Sequence, residues 1–280
     1  MKVLIAGAGG VLGKALVRLH VGRGDDVTAL VLSSREMPPD LAARIRIVQA
    51  DVRSPEPLAG LCDGIDRVVS CVGITRIRGR LTHDAVDYRG NVNLLREAER
   101  AGVAGFGFVS PAGTGDDAGH VPLLDAKNRF ERELRNAKIP WMIFRSGGFF
   151  TDLAELKAMA SKGRLFVIGD GSSRSTPIDV GELAEIMVRE MDGASCRVVE
   201  VGGPEHLSWT EICRTCFDSV GRPPAIMKVP VWLCELTLAI IKPFSFRHYA
   251  MGRLLVFMST RDVCTAPLAK RSLREYLVQV

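Results

Sequence analysis

The 280-residue chain has no apolar run of bilayer length. Its longest, residues 229–241, is interrupted by Pro230 and Glu235, whereas a spanning helix needs about 20 apolar residues. No long apolar region precedes the first strand-like run, so no signal peptide is expected. Histidine is scarce, and His83, His120, His206 and His248 stand without partners at ligand spacing. They read as surface or packing residues, and no metal is expected. The seven cysteines are odd in number and irregularly spaced. That argues against a disulfide framework and for free thiols in the cytoplasm. Cys213 and Cys216 form a C-x-x-C within the amphipathic pattern of residues 209–220, with no second pair, so they read as core packing. Repeats and low-complexity tracts are absent, and the ordinary composition excludes a disordered chain. The net charge of +5 is scattered apart from Arg76, Arg78 and Arg80. Those three read as a solvated loop, with an acidic substrate or partner as the alternative. No nucleic-acid partner is expected, while a mild positive charge suits an anionic ligand.

What the sequence has is concentrated at its start, MKVLIAGAGGVLG. Val3, Leu4, Ile5 and Ala6 make a short run suited to a strand buried on both faces. Gly7, Gly9, Gly10 and Gly13 follow, then Val11, Leu12, Ala15, Leu16 and Leu19 at helical spacing. Strand, glycine turn, helix is the context of a dinucleotide-binding loop. Gly7 permits the tight turn, Gly10 lets a diphosphate reach the backbone, and Gly13 lets the helix pack against the strand. The free amides around Val11 and Leu12 then face the negative charge.

Residues 27–32 read as the second strand. An NAD-specific enzyme carries Asp or Glu at this strand's tip. Here the strand ends Leu32-Ser33-Ser34-Arg35, and Asp25 and Asp26 come before it. Two hydroxyls and a guanidinium suit a 2′-phosphate, so NADP(H) is favoured, with NAD(H) as the alternative. Residues 45–49 read as the third strand, followed by Asp51-Val52. Asp51 either lies beside the adenine or caps the next short helix. Residues 67–71 are the fourth strand, and Ser70-Cys71-Val72-Gly73 crosses the cofactor at its carboxyl end. A helix over 85–101, a strand over 106–110, a helix over 124–136 and a strand over 141–144 continue the alternation.

The expected fold is therefore α/β, a Rossmann-type doubly wound parallel sheet with a smaller, largely helical C-terminal substrate lobe. The boundaries are residues 1–150 for the nucleotide-binding core and 151–280 for the part that completes the sheet and forms the lobe. After Phe150 the pattern gives helices over 153–160 and 180–191 and strands over 165–168 and 198–201. An apolar C-terminal part follows, rich in Trp232, Leu233, Leu236, Leu238, Ile240, Ile241, Phe244, Phe246, Leu254, Leu255, Phe257 and Met258. It is core, an apolar substrate pocket, or a surface docking on a membrane or protein.

Several segments in order resemble the atypical short-chain dehydrogenase/reductases, in the NmrA-like and complex I accessory-subunit-like neighbourhood. They include Gly7 to Gly13, Val72-Gly73-Ile74-Thr75-Arg76, Val86-Asp87-Tyr88-Arg89-Gly90-Asn91, Phe108-Val109-Ser110, Ala126-Lys127, Phe144-Arg145-Ser146-Gly147 and Pro177-Ile178-Asp179-Val180. The resemblance implies NAD(P) on a Rossmann sheet. Lys127 then holds the nicotinamide ribose, Ser110 stands at the catalytic serine's place unless Ala112 does, and Gly147-Gly148 contact the nicotinamide. Active members pair that lysine with a tyrosine four residues earlier, but Leu123 stands there. Tyr88 is the substitute phenol, or else a helix residue with its hydroxyl satisfied.

The function these residues support is an NAD(P)-dependent oxidoreductase moving hydride between NADP(H) and an apolar small molecule, with Lys127, Ser110 and Tyr88 as catalytic candidates. The alternative is a cofactor-binding regulator or assembly factor without turnover. An epimerase or dehydratase is the third reading.

Overall fold

The computed structural model describes residues 1–75, 77, 79, 81–115, 118–193 and 195–280. The expectation placed on Arg76, Arg78 and Arg80 lies outside the described residues.

In chain order the first half runs β1 (Lys2–Ala6), α1 (Val11–Gly22), β2 (Asp26–Val31), α2 (Pro39–Ala42), β3 (Arg46–Gln49), β4 (Arg67–Ser70), α3 (Asn91–Ala101), β5 (Gly105–Pro111), α4 (Pro122–Arg135) and β6 (Trp141–Ser146). It continues with α5 (Phe150–Ala160), β7 (Leu165–Ile168), β8 (Arg174–Ser175), α6 (Val180–Met191), β9 (Arg197–Val201), β10 (Leu207–Ser208) and α7 (Trp209–Ser219). The last elements are β11 (Ile226–Val229), α8 (Val231–Ile241), α9 (Phe246–Thr260) and α10 (Leu273–Gln279).

A seven-stranded sheet has the order β3-β2-β1-β4-β5-β6-β9, and its ladders from β3 across to β5 are parallel. This is the doubly wound Rossmann architecture expected from the sequence. β1 takes its central place because Val3 to Ala6 are apolar on both faces and fully buried. The strand order reverses between β1 and β4, which opens a crevice at their carboxyl ends.

The chain forms two compact units. One comprises Met1–Ser110, Asp125–Phe144 and Leu183–Val199, the other Pro111–Leu124, Arg145–Glu182 and Glu200–Val280. In the first, Leu4, Val68, Phe106, Phe108, Phe130 and Leu94 pack between sheet and helices. In the second, Phe150, Leu165, Ile212, Phe217 and Leu273 form a separate core. Cys213 and Cys216 lie within it, and burial pushes their thiols up to about 11 and about 12.

One local difference from the sequence reading matters. The helix expected over 85–101 opens as a π-helical turn, Asp84–Gly90, before α3 begins. Gly90 lets this turn lie against Val52: a Cβ there would stand 2.6 Å from Val52 Cγ2. Asn91 Nδ2 donates to the Asp87 carbonyl at 2.9 Å, so the widened turn keeps a partner for that oxygen.

Candidate functional site

The glycine turn after β1 has the geometry its sequence implies. Gly7 adopts φ +75, a left-handed conformation that favours glycine. A Cβ at Gly13 would overlap the Gly7 carbonyl and Ala8 backbone, so only glycine lets α1 start this close. Gly10 is the N-cap of α1 and makes no side-chain cap, so the helix's first amides receive no side-chain oxygen from it.

A cleft of about 200 Å³ opens at the switch point. Its floor is Gly7 and Gly10, its walls are Leu30 to Leu32, Ala50 to Val52 and Cys71 to Ile74, with Leu81 and Val86 beyond. The segments expected to line a cofactor cleft after β1, β2, β3 and β4 therefore meet at one place. Gly9 belongs to the same turn, and Val11, Leu12 and Gly13 open α1 directly after it.

Ser33, Ser34 and Arg35 follow β2. Ser33 Oγ accepts from the Arg35 amide at 3.4 Å, while Ser34 and Arg35 are exposed. A carboxylate nonetheless reaches the cleft from beyond this strand's tip. A 3-10 turn, Ser34–Glu36, carries Glu36 back into the cleft. Its carboxylate lies against Gly9, where a Cβ would overlap it. Glu36 sits a turn past the strand, and its return depends on backbone geometry that its place in the sequence does not reveal.

Asp51 lines the cleft, but its carboxylate accepts from the Arg53 amide at 3.0 Å and from the Arg53 guanidinium at 2.6 Å. Those bonds hold its carboxyl below the usual range. The carboxylate is thus spent on Arg53, and the expectation that it caps the next short helix is corrected: that helix, Glu56–Leu58, has Pro55 at its N-cap and receives no side-chain cap. Burial pushes the Cys71 thiol up to about 12, so it remains a neutral wall of the cleft.

Past Gly73 lies a buried polar array. Lys127, on α4, has its ammonium 3.4 Å from Asp87 Oδ1, from the Val72 carbonyl and from the Val109 carbonyl. Its nitrogen also stands 4.8 Å from the centre of the Phe108 ring. Asp87 is fully buried and its Oδ2 accepts from the Ile74 amide at 3.3 Å, with His83 Nδ1 3.4 Å away. A Cβ on Gly73 would stand 2.6 Å from Asp87 Oδ1 and 3.0 Å from Lys127 Nζ. Gly73 therefore lies directly against both members of the pair, where a side chain would displace them. Asp87 and His83 were not among the residues singled out from sequence as a site; the i, i+4 spacing of the two was the available signal.

This array has hydrogen-bonding capacity to spare. Each Lys127 contact is long at 3.4 Å. Asp87 Oδ1 and Ser110 Oγ are buried and make no hydrogen bond among the described residues. Such groups are costly unless a ligand completes them. A ribose diol, which both donates and accepts, is chemically suited to a cation, a carboxylate oxygen and a hydroxyl. The glycine turn and this array together fit a dinucleotide.

Tyr88 is not brought to the cleft lining. Its hydroxyl donates to Glu133 at 3.0 Å and the Arg129 guanidinium lies 3.9 Å from its ring centre. Gly147 and Gly148 lie in the second unit, where Gly147 abuts the Thr176 carbonyl with no room for a side chain and Gly148 faces open space. Among the described residues no group of three or more metal-ligating side chains occurs, and no helix is long and apolar enough to cross a membrane.

Comparison with known proteins agrees with the geometry. A family model described as NAD(P)H-binding matches residues 7–192. The chain is 29% identical over 259 residues to the photosystem II assembly factor Ycf39 of Synechocystis, covering 91% of this chain and 78% of that protein. It is 28% identical over 262 residues to the divinyl chlorophyllide a 8-vinyl-reductase of Oryza sativa, covering 85% and 64%. In structure it is similar to an NADPH-dependent quinone oxidoreductase from Escherichia coli, with TM-score 0.77, 17% identity, and coverage of 99% of this chain and 98% of that one.

Proposed function

The chain belongs to the NAD(P)H-binding family of atypical short-chain dehydrogenase/reductases, and from that premise we propose that it is an NADP(H)-dependent reductase of an apolar small molecule. The observation that carries the reading is the Lys127–Asp87 pair, buried under Gly73 past the cleft, with long contacts to the ammonium and with Asp87 Oδ1 and the Ser110 hydroxyl left without a hydrogen bond among the described residues. A group that only stabilised the fold would be fully bonded.

In this reading the turn from Gly7 to Gly13 holds the diphosphate through the amides of Val11 and Leu12. Ser33, Ser34 and Arg35 take a 2′-phosphate, and Glu36 is the group that opposes it. Leu30, Val52 and the Asp51 backbone flank the adenine. Lys127 donates to the nicotinamide ribose, with Asp87 fixing the ammonium in place and Phe108 excluding water beneath it. Bound there, the nicotinamide supplies or accepts the hydride. The Ser110 hydroxyl and the Lys127 ammonium are the groups able to hand a proton to a substrate oxygen or carbon.

A second reading, a nucleotide-binding assembly factor without turnover, draws on two observations. Leu123 occupies the place of the family's tyrosine, and the Tyr88 hydroxyl is spent on Glu133. The relative named as an assembly factor suits it. One experiment separates the two: titration with NADPH, then NADPH oxidation against enones, ketones, aldehydes and a vinyl-bearing tetrapyrrole. Saturable binding with oxidation on one of these upholds the reductase. Saturable binding with none favours the assembly factor, and no binding of either pyridine nucleotide overturns both.

A further inference from the structure

The second unit carries a helical hairpin, α8 and α9, whose two sides differ. On the inner side Leu238 is buried against Gly252, where a Cβ would overlap its methyl carbon, and Glu235 pairs with Arg253 at 2.6 Å. On the outer side Trp232, Leu236 and Ile240 step along α8 every four residues, and Phe244 continues the line into the turn. They are 67%, 52%, 59% and 86% exposed. Phe246, 51% exposed, opens α9 beside them. A stripe of this size left in water is an interaction surface.

The charge around it selects the partner. The hairpin itself, residues 231–260, holds three cations, Lys242, Arg247 and Arg253, and one carboxylate, Glu235. That carboxylate is already bonded to Arg253. Lys242 and Arg247 are exposed on either side of Phe244 and Phe246. We propose that the α8–α9 hairpin docks on an anionic lipid bilayer surface, lying in the interface with Trp232, Leu236, Ile240 and Phe244 among the acyl chains and Lys242 and Arg247 at the head groups. Aromatic and aliphatic side chains on one face with flanking cations are what an interfacial helix needs. A second copy of the chain is the poorer occupant, because a two-fold contact would set this cationic rim against itself. A protein partner would leave the stripe's margin short of the paired polar groups of a protein interface.

The inference does not depend on nucleotide binding, so it is tested without nucleotide on the full chain. The probe is co-sedimentation with vesicles of phosphatidylcholine carrying about a third phosphatidylglycerol, beside vesicles of phosphatidylcholine alone. The anionic vesicles are expected to bind the chain and the neutral ones to bind it at least about tenfold less. Each cation removed should weaken binding about fivefold, so the pair Lys242→Glu and Arg247→Glu should lose at least about 25-fold. The pair Leu236→Ser and Phe244→Ser should lose at least about tenfold. These side chains are exposed, and unchanged circular dichroism checks that the variants fold. Trp232 emission should shift blue on the anionic vesicles, and Trp232→Phe should abolish the shift while keeping binding. Failure to bind anionic vesicles overturns the proposal, as does binding that the serine pair leaves intact. Self-association that the serine pair disperses, without vesicle binding, assigns the face to a second copy and overturns it equally.

Discussion

Lys127 and Asp87 meet under Gly73, ammonium nitrogen to carboxylate oxygen at 3.4 Å, the lysine held only by long contacts and Asp87 Oδ1 left without a hydrogen bond among the described residues. The lysine comes from α4 and the aspartate from the π-helical turn before α3, so the pair ties together the two segments that flank the end of β4. Removing one member leaves the other as a buried, poorly partnered charge.

Lys127→Ala should cut turnover at least about a hundredfold and raise the NADPH dissociation constant, since both positioning and proton supply are lost. Lys127→Arg should rescue less than half of that, because a planar fork does not fit where a compact ammonium stood. Stopped-flow turnover and calorimetric titration read the two effects. Near-normal values for the alanine variant remove Lys127 from the site. Gly73→Ala tests the same place from above: its Cβ would crowd both partners at 2.6 and 3.0 Å. It should weaken nucleotide binding while leaving the far side of the sheet unaffected.

Nucleotide choice turns on two neighbours of opposite sign. Arg35 is exposed and does not line the cleft, while the next residue, Glu36, is turned into it. Arg35→Asp should raise the NADPH dissociation constant about tenfold and spare NADH. Glu36→Gln should lower the NADPH constant, by about fivefold, because one repulsion is removed from a phosphate-binding site. If both variants shift NADPH and NADH equally, the 2′-phosphate is not read here, and the preference for NADP(H) falls.

Much of the frame was legible in the residues. Val3 to Ala6 suit a strand buried on both sides, and the glycines between that run and a helical pattern suit a tight turn at a helix start. The alternation that follows fixed the doubly wound sheet, and the strand ends then named the loops that form the cleft. Two features escaped because they depend on local backbone turning. The π-helical turn at Asp84–Gly90 has the same apolar pattern as an α-helix over one turn, so periodicity does not reveal that Asp87 is buried beside Lys127. Glu36 lies past the end of β2, and nothing in its sequence neighbourhood says that the 3-10 turn carries it back. Tyr88 misled in the opposite direction. Its neighbour Asp87 faces inward, while its own hydroxyl pairs with Glu133.

Glu97 offers a test by pH. Its carboxylate is bonded to Arg100 at 2.7 Å and accepts from the Cys62 amide at 3.3 Å. The Arg100 bond outweighs burial, so the Glu97 carboxyl is held below the usual range. A carboxyl with a depressed folded value contributes stability above its ordinary pKa, and that stability disappears as pH falls through the folded value. Glu97→Gln should therefore cost about 1.5–3 kcal/mol at neutral pH, the range for hydrogen bonds to charged groups. The gap between wild type and variant should close in acid, below both values. Denaturant melts at several pH values measure it. A gap that stays constant from neutral to acid pH means the charge plays no part.

Phe108 separates packing from electrostatics at the same site. It is fully buried, meets Phe130 edge-on at 4.6 Å, and presents its ring to Lys127 at 4.8 Å. Phe108→Ala should cost about 3–5 kcal/mol, the range for deleting a buried aromatic ring. Phe108→Leu keeps most of the volume and should cost about 1.5 kcal/mol or less. The leucine also loses the negative ring face under the ammonium, which is worth about 0.5–2 kcal/mol when the cation is partly desolvated. If the ring holds Lys127 for the nucleotide, the leucine variant should bind NADPH several-fold more weakly at temperatures where it is still folded. Unchanged affinity in that variant would mean that the ring only fills space, and that Asp87 alone positions the ammonium.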